Sequence, residues 1–525
     1  MNIVKKVFSD TEENQPLLPN YIEVHETKIG CHQNCRDCSN VFKAFIGSAM
    51  IGMPFAVNQA GIALSLIGIF VIAVATDHCC NLIVQCKQIV IKNKIKELHP
   101  LSTPMFIQEK EKILNDTISY GSIAKSCLGV PGVLAVNISV LTTQFGFSIG
   151  YFIFLGNTLR SILKRYISTN NSLNKTLTDP RNYSLLLNDS RNEKLGAGFV
   201  FQSMHFYKKR FGLLDLTSGS KASFAILLVI PVVFLILVSF IRSLRKLGPI
   251  SLLANLSLIV AFVATASYLL VSLDHISSDI KYFKLSTLPI FFGQLTGAFE
   301  GIGTVIPIEG SMGNNRIRYP KFLHCSLFSV SVILASFGII GYISFGDKTC
   351  QIVTANLNGL MATILQILLL FGVLLTYPLQ IYPCIEITET LLIKYRKWRH
   401  RVFQQQSIRE NQISYEKECA KECVLVWEGN LIRIALVSMT AIIGLIFREQ
   451  FAYIAAFNGA VGSSLLVYIL PPMIHISLKQ KELKKTTLFK DILLILFGVV
   501  SGIIGLVVAV KEIIISFESG GPAHC

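Results

Sequence analysis

A chain of 525 residues that is 52% hydrophobic and only 15% charged reads as a polytopic membrane protein, not a globular one. Its formal net charge of +16 could suggest nucleic acid, but the Lys and Arg lie mainly in short segments between apolar runs, which is a topology signal and leaves no nucleic-acid partner to expect. No nucleotide-binding P-loop is present, so an ATP-driven pump is unsupported; the chain is read as a membrane transporter and not as an enzyme.

The tail from Met1 to about Cys38 is polar and expected to be disordered, and it lacks the apolar core of a cleaved leader. Glu13, Leu17 and Leu18 form an acidic-dileucine pattern (Glu13-Asn14-Gln15-Pro16-Leu17-Leu18) of the kind that sorting adaptors read. It points to lysosomal or endosomal membranes, with the plasma membrane as the alternative. Cys31, His32, Cys35 and Cys38 match no standard zinc spacing, so no metal is expected; palmitoylated or unmodified thiols fit better.

Span 1 covers about 39–60 and is interrupted by Gly47, Gly52 and Pro54. Span 2, about 61–86, precedes a basic loop that starts at Lys87 and continues to Lys125. Span 3, about 130–164, is unusually long. A polar loop over 165–219 then holds four glycosylation acceptors, Asn170, Asn174, Asn182 and Asn188, which argue for an extracytoplasmic face. Spans 4 and 5 follow at about 221–241 and 249–272, joined by a turn with Arg242, Arg245 and Lys246.

Span 6, Leu288 to Glu309, contains Gly293, Gly297, Gly301, Gly303 and Pro307, with Glu300 inside. Glycine weakens helix continuity, and a carboxylate at membrane depth must be protonated, paired or wetted. Two half-helices meeting at Ala298–Gly301 are therefore expected, with free backbone groups lining a cavity. Spans 7 to 11 are read at about 322–345, 360–393, 431–447, 451–478 and 491–517. With the N-terminus in the cytosol, the basic loops fall inside, while the sequons and the C-terminus fall outside.

Spans 1 and 6 are both interrupted and spans 3 and 8 both overlong, each pair five spans apart. That pattern marks inverted repeats and a central transporter site. The domain reading is a transporter domain over 39–517, with repeats at about 39–272 and 288–478 and an extra helix at 491–517.

The blocks Phe45 to Ile62, Phe240 to Asn255, Phe291 to Glu309, Gly341 to Gly346 and Gly462 to Pro472 resemble the proton-coupled amino acid transporters, a branch of the amino acid/auxin permease family. The resemblance implies an all-α membrane fold of eleven helices with a LeuT-type 5+5 inverted repeat and broken helices 1 and 6. It also implies small neutral amino acids as substrates, a proton as coupling ion, and no bound cofactor. Two departures stand out. Family members often carry His where this chain has Asn40, and the span 3–4 loop lacks the Cys that would partner Cys350.

A zwitterion needs N–H groups for its carboxylate and carbonyls for its ammonium. Gly47, Ser48 and Ala49 are the carboxylate candidates, with unusual backbone angles expected at Gly47. The carbonyls near Ala298, Phe299 and Glu300 are the ammonium candidates, and Glu300 is the proton-coupling candidate. Phe299 is a candidate lid, and Tyr151 and Tyr377 are candidate lining residues. Glu309 is read as the cytosolic end of span 6, in a solvated pair with Arg316 and Arg318. The leading function is a secondary transporter. A lysosomal amino acid sensor with little net transport is the alternative, and a channel is disfavoured because no ring of charge repeats.

Overall fold

A computed structural model describes residues 31–98, 104–177, 221–242, 244–271, 277–406, 426–479 and 483–518. Among these residues every regular element is helical. The dileucine residues Glu13, Leu17 and Leu18 and the sequons Asn182 and Asn188 lie outside them.

The chain enters on α1 (Cys31–Ala44), so residues 31–38 belong to a helix and not to a disordered tail. Asp37 explains why: it is buried and accepts a hydrogen bond from Asn315 Nδ2 at 2.8 Å, which fastens the start of the helix to the membrane domain. A 3-10 turn (Ser48–Gly52) and α2 (Met53–Ala60) complete span 1. Helix α3 (Ile62–Leu98) runs well past the expected end of span 2, carrying Lys87 with it. Part of the expected basic loop is itself helical, α4 (Pro104–Thr117).

Helix α5 (Tyr120–Leu177) is kinked at Gly129, whose φ of 67° is left-handed, with Pro131 just beyond. Its length carries Asn170 and Asn174 onto a helical extension where a loop was expected. Helices α6 (Lys221–Ser239) and α7 (Leu244–Val271) follow, then α8 (Leu288–Ala298) and α9 (Ile302–Ser311) separated by a break. The rest is α10 (Tyr319–Phe345), α11 (Gly359–Gln406), α12 (Val426–Ile446), α13 (Phe451–Asn458), a π-helical segment (Gly459–Ile469), α14 (Leu470–Lys479) and α15 (Lys485–Glu518). Eight helices among the described residues are long and apolar enough to cross a membrane, and Ser223–Ser239 is a shorter apolar one.

The interior is built on close backbone approach. A Cβ on Gly459 would sit 1.8 Å from the Gly293 carbonyl oxygen, so only glycine lets the π segment touch α8. The wider π turn exposes carbonyls, and Tyr120 donates its hydroxyl to that of Leu466 at 2.9 Å. On the other side, α10 packs against α2 and α3, and α11 packs between α5 and α7.

One loop acts as a strap. Lys281 and Tyr282 accept from the Ile62 and Ala63 amides at 3.2 and 3.0 Å, and the Lys284 amide donates to Ala60 at 2.8 Å. Gly61, at φ 81°, makes the turn beneath it; a Cβ there would lie 2.6 Å from the Tyr282 backbone. The Asp347 carboxylate beside Lys281 pushes its ammonium above the usual lysine range, so the strap keeps this charge throughout the physiological range. Cys350 is disulfide-bonded, which corrects the expectation that it lacks a partner.

Candidate substrate-binding site

Two interrupted helices face each other at the centre. Helix α1 stops at Ala44, and the chain is extended at Gly47 (φ −142°, ψ −178°) before the 3-10 turn, which has no side-chain N-cap. Any residue can adopt that extended backbone, so the expected unusual angles at Gly47 are not found. What distinguishes Gly47 is room: it is exposed, and a Cβ would meet nothing within 4 Å.

Helix α8 ends at Ala298, and α9 starts at Ile302 with Gly301 as an N-cap that offers no side chain. The Phe299 amide returns to Leu295 at 3.0 Å and the Glu300 amide to Gly297 at 3.3 Å, while the carbonyls of Ala298, Phe299 and Glu300 fall within the break. A Cβ on Gly301 would lie 2.7 Å from the Ala44 carbonyl oxygen and from the Phe45 ring, so the two breaks are in contact. Gly303, one turn position later, is exposed and fronts open space as Gly47 does.

The electrostatics follow from the helix ends. The 3-10 turn and α9 present N-termini with unpaired N–H groups and positive dipole ends; α1 and α8 present carbonyls and negative ends. Opposite partial charges therefore meet within one small region, with no fixed ion needed. Among the described residues no group of three or more His, Cys, Asp or Glu is placed to hold a metal.

The remaining sequence candidates are placed as follows. Ser48 and Ala49 open the 3-10 turn, and their side chains lie outside the description. Phe299 is fully buried at the break. Glu300 is half-buried, and its carboxylate has no ion pair or hydrogen bond among the described residues. Tyr151 is buried on α5. Tyr377 is buried with its hydroxyl 2.7 Å from Thr440 on α12 and its ring against Phe152, so it faces α12 and α5. Asn40 is exposed on α1.

A second cluster sits at the far end of α9. Glu309 is fully buried there, not solvated, and pairs with the Nζ of Lys87, itself fully buried. Gln88 Nε2 donates to the same carboxylate at 3.2 Å and Arg316 Nε approaches at 3.1 Å, while Arg318 bonds Asn34 instead. The sequence reading missed Lys87 by placing it in a basic loop. A signal was available: Cys79, Cys80, Ile83, Cys86, Lys87, Val90 and Ile91 share one helical face, and all are buried.

The family model described as "Transmembrane amino acid transporter protein" matches residues 35–184 and 203–511. Amino acid transporter AVT3B of Arabidopsis thaliana is 26% identical over 486 residues, covering 90% of this chain and 92% of that protein. Amino acid transporter AVT3A of the same plant is 25% identical over 91% of this chain and 89% of its own. Amino acid transporter ANT1, also from that plant, is 24% identical over 89% of each. With the match running through both interrupted helices and nearly the whole membrane domain, the chain belongs to the transmembrane amino acid transporter family, the amino acid/auxin permeases.

Proposed function

We propose that the protein is a secondary transporter that moves small neutral amino acids across a membrane by alternating access. The observation that carries this reading is the contact between the two breaks, Gly301 against Ala44 and Phe45, beside open space at Gly47 and Gly303. The substrate carboxylate takes the N–H groups of the turn at Gly47, Ser48 and Ala49, and its ammonium takes the carbonyls of Ala298, Phe299 and Glu300. Adding the shorter helix Ser223–Ser239 and the two interrupted spans to the eight long helices supports eleven crossings of the LeuT type. In this reading 39–272 and 288–478 are the inverted repeats.

Gly47→Val tests the site. The backbone there is extended and the space beside it open, so the variant should fold as the parent does. Its isopropyl group would occupy the space that the substrate carboxylate needs. Purified protein in proteoliposomes should accumulate radiolabelled alanine, glycine or proline, and the variant should lose that uptake. Undiminished uptake by Gly47→Val would place the site elsewhere, and binding without accumulation by the parent would favour the sensor reading.

The N-terminus is proposed to be cytosolic, in lysosomal or endosomal membranes, with the glycosylated face in the lumen. Replacing Asn170, Asn174, Asn182 and Asn188 together with Gln should remove all glycan from protein made in eukaryotic cells. Glycan mass that survives the fourfold change would reverse the assignment.

A further inference from the structure

Lys43 lies on α1 at a depth fixed by contacts at both ends of that helix. Ala44 and Phe45 meet Gly301 at the break, and Asn34 accepts from Asn315 Nδ2 at 3.0 Å, just past the cytosolic end of α9. Helix α1 therefore runs beside α9 through the cytosolic half of the membrane domain. Lys43 stands nine residues beyond Asn34, about 14 Å deeper along the helix.

The exposed face of α1 is polar. Arg36, Ser39, Asn40 and Lys43 form one helical stripe leading toward Gly47, while Asp37, Val41 and Phe45 on the other side are buried. Among the described residues no large apolar side chain is exposed before Leu66. Helix α9 is alike. Gly303, Thr304, Pro307 and Ser311 are exposed, and no large apolar side chain described between Leu285 and Ile317 is. A face that meets lipid looks different: α15 turns Leu496, Val500, Ile503, Val507 and Ile514 outward.

A lysine on its long stem can snorkel to the headgroups, but Ser39 and Asn40 are too short to do so. Their exposure at this depth needs water. The two half-helices thus border a wet path between the breaks and the cytosol. Its charges on α1 are Arg36, which has Asp37 beside it at 3.6 Å, and Lys43. Lys43 has no ion pair or hydrogen bond among the described residues.

We infer that Lys43 receives the carboxylate of an amino acid on the cytosolic side of the breaks and keeps cationic amino acids out. This role rests on the proposed transport reading and adds a residue that sets its charge selectivity. A zwitterion entering from the cytosol meets the Lys43 ammonium four residues before the N–H groups at Gly47, and its carboxylate passes from the first to the second. A side-chain ammonium or guanidinium is repelled at the same point. Water in the path screens both effects, which keeps them moderate.

Two measurements test the path and the lysine separately. Asn40→Cys and Val41→Cys proteins, in sealed vesicles with the cytosolic face outward, are treated with a water-soluble, impermeant thiosulfonate and read by site-resolved mass spectrometry. Residue 40 should label and buried residue 41 should not. That outcome does not depend on net uptake, so it stands even if the transport reading fails. Absence of label at residue 40 would overturn the path, whatever uptake shows. The second measurement is uptake of radiolabelled alanine supplied at the cytosolic face. Lys43→Gln should raise KM about fivefold with kcat little changed, the loss expected for one screened charge contact, and Lys43→Arg should restore it. In Lys43→Glu, unlabelled lysine should compete about tenfold better against alanine. If the parent binds alanine without net uptake, Kd replaces KM and the same fivefold rise is expected. An unchanged constant in Lys43→Gln would overturn the role of Lys43.

Discussion

Lys87 and Glu309 are the two residues whose roles changed most between sequence and structure. Both are fully buried, and their pair is completed by Gln88 and by Arg316, which also donates to the Gly310 carbonyl at 2.9 Å. The cluster fastens the end of α9 to α3, and Arg316 lies 3.6 Å from Asp116 of α4. Removing one member strands a charge, at a cost of about 3–5 kcal/mol, whereas replacing both by apolar groups of similar volume is often neutral. Lys87→Met alone and Glu309→Leu alone should each lower the thermal midpoint in detergent. The double variant should recover most of the loss, less what Arg316 forfeits. Additive losses would mean that the two side chains do not depend on each other. Lys87 was hidden because a formal charge outweighed its position in a buried stripe; the helical face was legible, but the charge led to a loop reading. Glu309 was misread for the opposite reason, since proximity to Arg316 in sequence says nothing about burial.

At the scale of elements, the break in span 6 was legible because glycine and proline are local signals: Phe299 to Gly301 falls between two short helices where the Gly-rich stretch placed it. Helix ends were less legible. Helix α1 starts earlier because Asp37 finds Asn315, a partner 278 residues away that no local pattern reveals. The polar run after 165 stays helical as far as Leu177, although its composition reads as loop. Glycines also look alike in sequence while differing in what surrounds them. Gly301 touches Ala44 and Phe45, whereas Gly303 faces open space. Gly301→Ala should therefore push the two breaks apart, an overpacking cost of roughly 1–3 kcal/mol that would reduce transport by about tenfold or more. Gly303→Ala, two residues on, should leave transport within about twofold. Uptake measured at matched surface expression checks both. If the two variants behave alike, contact between the breaks does not matter to the cycle.

For the whole molecule the question is what drives net movement. In the proposed alternating-access cycle, uphill movement would need a state open to each side and a coupled ion that biases the exchange between them. The structure offers few ionisable groups near the breaks. Glu300 lies in the break itself, half-buried and without an ion pair or hydrogen bond to its carboxylate among the described residues, so its charge is balanced by nothing fixed. Asn40 cannot titrate, and it stands exposed on α1, in the span that also contributes Gly47. In the proposed cycle, a carboxylate so placed would take a proton on one side and release it on the other. The lack of a histidine at position 40 removes a second titrating group near neutral pH. Transport should therefore be only weakly acid-stimulated, and Glu300→Gln should flatten the pH dependence that remains while retaining exchange of substrate. Asn40→His should steepen acid stimulation if the α1 position communicates with the breaks. The measurement is uptake against external pH with current recorded at the same time. Strong acid-stimulated current in the parent, unchanged in Glu300→Gln, would show that the proton travels by another route.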